Sequence, residues 1–276
     1  MSAPTTGSTT IRRVTGALGA EVKGLDLRNV GDDEVGELRA ALVEHQVVVV
    51  RNQSFTPREL KEFFVRFGDL TEGVIRTRSR CADEPDVLVL ETMNPGDAGR
   101  WHTDHSFVPE PPMAACLYAV ELPAVGGDTC FGSMFAAYDA LSAPMRALLD
   151  GLTAVHSNEA LLRRFAVEDR NVTADSLAPL RANHPVVRTH PESGRKSIFY
   201  SSHAMVRIVE LSELESAALI AFLGEWVKEP RFQLRIAWEP QTFVMWDERS
   251  TVHCGVADYH ERRILHRLML AGDAPV

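Results

Sequence analysis

The chain has 276 residues, 45% of them hydrophobic and 24% charged, which is ordinary globular composition and excludes a disordered or fibrous protein. Lysine and arginine number 29 against 38 aspartate and glutamate, and the resulting formal charge of −9 argues against a general binder of nucleic acid or membrane surfaces. No apolar run approaches the ~20 residues that span a bilayer, no secretory signal opens the chain, and the scattered Cys81, Cys116, Cys130 and Cys254 suit reduced thiols, so a cytoplasmic location is expected.

Residues 1–10 are rich in Ser, Thr and Gly and read as a flexible tail, with a single domain predicted over 11–276. Ile11 to Leu27 alternates loosely, with Gly16, Gly19 and Gly24 as punctuation, which predicts short strands. Val35, Leu38 and Leu42 share helical spacing between Asp32 and His45. The unbroken run Val47 to Val50 predicts a strand buried on both faces. A second helix starts at Thr56, where Pro57 and a Thr56–Glu59 capping box set the first turn, and runs to Gly68, burying Leu60, Phe63, Phe64 and Phe67. Met113 to Leu122 is extended and apolar, a turn follows at Gly126-Gly127, and one helix is predicted across Phe135 to Leu152, starting at Ser133. The charged stretch 157–182 has little core pattern and is predicted to be a lid or surface loop. Strands resume at Val186-Val187 and Ile198 to Tyr200. A capping box from Ser212 to Glu215 opens a helix reaching Val227, and Phe232 to Leu270 is strand-rich. There is no internal repeat and no interdomain linker.

No dinucleotide fingerprint, phosphate-binding loop, HExxH or GxSxG is present. What stands out is Trp101-His102-Thr103-Asp104 in an extended context, with His253 far downstream. On a strand, residues two apart share a face, so His102 and Asp104 converge there, whereas on a helix they would point ~200° apart. A second imidazole from a distant strand would complete two His and one carboxylate, the set that leaves positions open in non-haem Fe(II) oxygenases. On spacing alone, a plain hydrogen-bonded His–Asp pair is the other reading.

Five separated motifs decide between them: Trp101 to Asp104; Gly126-Gly-Asp-Thr129; His184-Pro-Val-Val-Arg-Thr-His-Pro191; Trp246-Asp247; and the tail His253, Asp258-Tyr259, Arg262-Arg263, His266-Arg267. With these in this order, the chain closely resembles the taurine/2,4-dichlorophenoxyacetate family of 2-oxoglutarate-dependent oxygenases from about Gly16 to Asp273. The resemblance implies a mainly β fold, a double-stranded β-helix (jelly-roll) core with flanking helices. It implies Fe(II) on His102, Asp104 and His253, with no catalytic residue beyond these ligands. It also implies 2-oxoglutarate held by Thr129 and Arg263, and O2 as the oxidant. Arg267 matches the family's substrate arginine; the other reading is that it pairs with a nearby Asp or Glu and only stabilises the barrel. Arg263, Leu265 and Arg267 share a strand face, and two inward arginines suggest two anions, the cosubstrate and a small to medium carboxylate, sulfonate or sulfate. His105, in place of a smaller apolar residue, is a second candidate substrate contact. Trp101, Trp246 and Phe107 are expected to wall the iron, His184, His190 and His266 to be structural, and Cys254 to pack away from it.

Departures from the family pattern argue against taurine itself. Glu248 stands where the family has asparagine, the loop Gly73 to Arg80 lacks the taurine enzymes' histidine, Pro95 to Arg100 lacks their asparagine, and Ala204 replaces an aromatic. The basic loop Arg76, Arg78, Arg80 points to a different anion. The expected reaction is hydroxylation of an unactivated C–H bond, with C–S, C–O or C–N cleavage when the new hydroxyl adjoins a heteroatom. A desaturase or oxidative-rearrangement enzyme of specialised metabolism is the alternative, and a non-catalytic jelly-roll binder a remote one. No nucleic-acid or membrane partner is expected, and a homo-oligomer is.

Overall fold

A computed structural model of the chain describes residues 9–71, 79–92, 99–168 and 179–276. Its larger sheet has the order β1 (Thr10–Arg13), β2 (Ala20–Lys23), β3 (Val47–Val50), β13 (Phe243–Asp247), β5 (Ala114–Glu121), β15 (Arg263–Leu270), β4 (Leu88–Thr92). All neighbours are antiparallel except β2 on β3. A smaller sheet, β12 (Gln233–Ile236), β6 (Thr129–Ser133), β14 (Thr251–Gly255), lies across from it.

Side chains alternate between two faces of a strand, and that alternation builds the layers. Val47, Val49, Leu117, Val244, Trp246 and Leu265 meet Phe131, Leu234 and Ile236 in one buried cluster, so the sheets face each other as the halves of a jelly-roll. Val48, Val50, Phe243 and Met245 point the other way, under α1 (Asp32–His45) and α2 (Pro57–Phe64). The Val47 to Val50 strand is therefore buried on both faces, as predicted. In α2 the capping box forms: the Thr56 hydroxyl oxygen accepts from the Glu59 N–H at 3.2 Å, and Glu59 accepts from the Thr56 N–H at 2.7 Å. Phe63 then packs edge-on, 5.4 Å from Phe243, and burying such a ring contributes about 1.5–3 kcal/mol.

The outer face of the smaller sheet is covered by α3 (Met134–Asp139), α4 (Ala143–Leu149) and α6 (Glu213–Trp226). The sheet β11 (Met205–Ile208), β7 (Thr153–Ser157), β8 (Arg181–Pro185) and the hairpin β9 (Val187–Thr189), β10 (Lys196–Ile198) complete that layer. The single helix predicted across Phe135 to Leu152 is thus two. Ser142 accepts from the Met145 N–H and caps a new start, and Pro144, which has no N–H, sits in the first turn of α4.

The stretch 157–182 is more regular than its sequence pattern. It closes β7, forms α5 (Glu159–Glu168) and ends in β8, while the middle of the predicted lid, 169–178, lies outside the described residues. Thr10 already belongs to β1, and residues 1–8 of the predicted tail are outside the description too. Among the described residues no helix is long and apolar enough to cross a membrane.

Candidate active site

His253 sits in the middle of β14, and its neighbour Cys254 points the opposite way, into the outer core beside Cys130. His102 is not on a strand, as its spacing predicted. It makes an isolated bridge in which His102 and His253 exchange backbone hydrogen bonds of 3.0 and 2.8 Å, and the chain then turns at Asp104. One bridge suffices to bring the three side chains together. Asp104 Oδ1 is 3.7 Å from His102 Nε2, Asp104 Oδ2 is 3.8 Å from His253 Nε2, and one donor atom from each residue lies within 4.8 Å of the others.

The donors are in the state a divalent metal requires. His102 Nδ1 lies 2.8 Å from the Arg100 carbonyl, which only accepts, so Nδ1 carries the proton and Nε2 presents its lone pair. Burial, followed by the proximity of His102, pushes the pKa of His253 well below the ordinary histidine range, so the ring is neutral. Burial disfavours the Asp104 charge, but the Arg267 guanidinium, helped by a hydrogen bond with Glu248, outweighs it and holds this carboxyl well below the usual range. Two neutral imidazoles and one carboxylate, grouped with no further His, Cys, Asp or Glu donor among the described residues, fit Fe(II).

Glu248 supports this cluster. Its carboxyl accepts from Trp246 Nε1 at 2.7 Å, from the Thr103 hydroxyl at 2.8 Å and from the Asp104 backbone N–H at 3.0 Å. Burial, then the Asp104 charge, pushes its pKa well above the ordinary value. The wall beside His253 consists of Trp246 at 4.9 Å and Phe131 at 6.1 Å between ring centroids. Trp101, expected in that wall, packs instead into the outer core beneath α3 and α6, because it precedes His102 on extended backbone and so faces the other way. Phe107 lies 5.6 Å from the ring of His105, which is half-buried on a left-handed backbone (φ 46°) directly after Asp104. The His203 ring, not singled out by the sequence, is 4.8 Å from that of His102.

Thr129 opens β6 and Arg263 opens β15, and Trp238 ties the two together. Trp238 Nε1 donates to the Thr129 hydroxyl oxygen at 3.0 Å, which leaves the hydroxyl proton for another acceptor. The Arg263 guanidinium lies 5.8 Å from the rings of both Trp238 and Tyr259. It is 9% exposed, and no carboxylate of the described residues pairs with it. Burial pushes its pKa down, partly offset by Tyr259. The Gly126-Gly127 turn makes room: at Gly127 (φ 74°) a Cβ would stand 3.1 Å from Arg263 Cδ.

Arg267, the expected substrate arginine, is buried on the same face of β15 and here donates to Asp104. The three histidines expected to be structural have partners of their own. His190 donates from Nε2 to Asp247 at 3.0 Å, His184 Nε2 bonds the Val108 carbonyl at 3.0 Å, and His266 lies 3.4 Å from the Cys81 thiol. Arg80 donates to the Pro85 carbonyl on the surface, while Arg76 and Arg78 lie outside the described residues.

Comparison with known proteins covers almost the whole chain. The family model described as taurine catabolism dioxygenase TauD, TfdA family matches residues 10–269. An alpha-ketoglutarate-dependent sulfate ester dioxygenase of Pseudomonas putida is 35% identical over 275 residues, covering 96% of this chain and 90% of that protein. The alpha-ketoglutarate-dependent 2,4-dichlorophenoxyacetate dioxygenase of Cupriavidus pinatubonensis is 35% identical, covering 93% and 96%. The crystal structure of a taurine dioxygenase from Burkholderia xenovorans superposes with a TM-score of 0.84 at 33% identity, covering 98% of this chain and 91% of that one.

Proposed function

Because the chain belongs to the TauD, TfdA family, and is therefore an oxidoreductase of the dioxygenase class, we propose that it hydroxylates an unactivated C–H bond of a small to medium organic anion. Fe(II), 2-oxoglutarate and O2 are the expected requirements. The observation that carries this reading is the convergence of His102, Asp104 and His253 beside two buried guanidiniums on one face of β15. Arg263 is buried without a carboxylate among the described residues, Arg267 has only the carboxylate that would ligate the metal, and the relatives above are named for a sulfate ester, 2,4-dichlorophenoxyacetate and taurine.

His102, Asp104 and His253 would hold the metal, which would supply the redox chemistry for activating O2 with the keto acid. Arg263 receives the far carboxylate of 2-oxoglutarate with a two-pronged guanidinium, and the Thr129 hydroxyl adds a donor. Trp238 and Tyr259 keep water from that ion pair and so strengthen it. Arg267, with His105 nearby, fixes the anionic head of the substrate and thereby the position of its reacting C–H bond, where small misplacement costs ~10²-fold in rate. The overall balance is substrate, 2-oxoglutarate and O2 to hydroxylated substrate, succinate and CO2. A hydroxyl placed beside the ester oxygen of an alkyl sulfate collapses to an aldehyde and releases sulfate.

The test is a screen of hexyl sulfate, hexanesulfonate and phenoxyacetate against hexanol and phenoxyethanol, with Fe(II), 2-oxoglutarate and ascorbate. At least one anion is expected to raise succinate formation several-fold, with matching substrate loss, while its neutral counterpart does not. Stimulation by the neutral compounds as strong as by the anions would contradict the reading.

A further inference from the structure

β6 and β14 run antiparallel in a register that sets Cys130 directly opposite Cys254. Along such a ladder, hydrogen-bonded pairs alternate with non-bonded ones. The Met134 N–H bonds the Ser250 carbonyl at 2.9 Å at one end, and the Val256 N–H bonds the Asp128 carbonyl at 2.9 Å at the other. Counted inward in steps of two, Cys130 and Cys254 are a hydrogen-bonded pair, whose Cα atoms stand about 5.5 Å apart. A disulfide spans about 4.4–6.8 Å between Cα atoms, so this pair can be bridged without a change of register. Both side chains point to the outer face of the smaller sheet, away from the His253 ring, and the two thiols hydrogen-bond each other.

The two thiols differ in access. Cys254 is 5% exposed, whereas Cys130 is half-buried and is the one that an outside reagent meets. Arg235 of β12 is the cross-strand partner of Cys130 on its other side, held there by Asp128 at 2.5 Å and Asp258 at 3.1 Å. The hydrogen bond from Cys254, joined by the Arg235 charge, outweighs burial and the two carboxylates and brings the pKa of Cys130 below its ordinary value. A reachable thiol that is stabilised as thiolate, with a second thiol in contact, is suited to oxidation by peroxide. The other cysteines are not: Cys116 is fully buried, and burial, with Asp83 and Glu84, pushes the Cys81 thiol up.

We propose that Cys130 and Cys254 form a modification site, a dithiol that a hydroperoxide closes reversibly into a disulfide between β6 and β14. The Cys130 thiolate attacks one peroxide oxygen; the S–O bond forms, the O–O bond breaks, and the other oxygen leaves as an alcohol, or as water from hydrogen peroxide, with the proton Cys130 gave up. The Cys254 sulfur then attacks the sulfenic sulfur; the S–S bond forms, and the hydroxyl leaves as water with the Cys254 proton. Two thiols are oxidised and one hydroperoxide is reduced. Contact with the second thiol captures the sulfenic acid before it advances to sulfinic or sulfonic acid. Cross-strand Cβ atoms stand about 4.5–5.5 Å apart, and a disulfide draws them to about 3.5–4.5 Å. The closed bond is therefore strained and open to reduction by glutathione. Since the pair lies on the face of β14 opposite the His253 ring, the proposal does not depend on what that ring binds.

The test exposes the full chain to hydrogen peroxide in the presence of a chelator and maps the cysteines by mass spectrometry without reduction. In the wild type, two of the four thiols are expected to disappear into one peptide pair joined through Cys130 and Cys254, and glutathione to restore both. Cys254→Ala removes the capturing thiol, so Cys130 is expected to accumulate as sulfinic and sulfonic acid that glutathione does not reverse. Cys130→Ser removes the entry point, and Cys254 is expected to stay a thiol. The wild-type map stands as a test even if a variant does not fold. Linkage of either cysteine to Cys81, to Cys116 or to a second chain would overturn the proposal. So would wild-type Cys130 oxidised to acids beside a free Cys254, or both thiols persisting after Cys81 has been oxidised. Oxidation of Cys254 as fast in Cys130→Ser as in the wild type would overturn it too.

Discussion

Asp104→Ala is expected to abolish substrate-dependent succinate formation and also to destabilise the fold. The first effect follows from leaving two imidazoles as the only protein donors. The second follows from Arg267, which loses its carboxylate while staying buried. Stranding one partner of a buried ion pair costs about 3–5 kcal/mol. The exposed pairs of Arg262 with Glu91 and Glu121 are a fair contrast, since solvent screens such surface pairs and they add little to stability. Arg262→Ala should therefore leave the urea midpoint nearly unchanged, whereas Asp104→Ala lowers it clearly. Adding Arg267→Met to Asp104→Ala removes the stranded cation, so the double variant should regain most of the stability and none of the metal binding. An Asp104→Ala protein with near-wild-type turnover would refute the metal assignment.

Arg263→Leu is expected to separate binding from stability in the opposite sense. In the free protein this guanidinium is buried without a carboxylate among the described residues, so a leucine in its place should not lower the urea midpoint. Its loss should instead cost about 2–4 kcal/mol of cosubstrate binding, since a desolvated carboxylate is left without its charged donor. That corresponds to roughly 30- to 700-fold in affinity. Anaerobic titration of 2-oxoglutarate into the Fe(II) protein, followed by the charge-transfer absorption of the chelate, measures it. An affinity within threefold of wild type would move the anchor elsewhere, and Arg262, tied to two surface carboxylates, would be the next to examine.

Local patterns were legible in the sequence wherever a short stretch decides its own structure. The Thr56–Glu59 and Ser212–Glu215 capping boxes form as predicted, and the shared face of Arg263, Leu265 and Arg267 follows from strand periodicity alone. The convergence of His102, Asp104 and His253 was legible because the separated motifs that hold them occur in the order of the family they resemble. What escaped depends on partners far along the chain. Trp238 reaches Thr129 across 109 residues, and nothing near either one announces the contact. Adjacency misled at Trp101: its place next to His102 suggested the iron wall, yet neighbours on extended backbone face apart, and Phe131 of β6 fills that place beside Trp246 instead. Glu248 registered only as a departure from asparagine. Its three donors, Trp246, Thr103 and the Asp104 N–H, become visible only once the bridge between His102 and His253 has folded the first motif against the end of β13.

The most direct measurement is the fate of oxygen atoms under 18O2, with the anion that best stimulates the wild-type protein. A 2-oxoglutarate dioxygenase splits each O2 between cosubstrate and substrate. Succinate carrying one 18O atom, formed in step with substrate loss, is therefore the predicted result, together with its disappearance in Asp104→Ala. Substrate consumed without succinate, or with succinate that carries no label, would contradict the account at its centre.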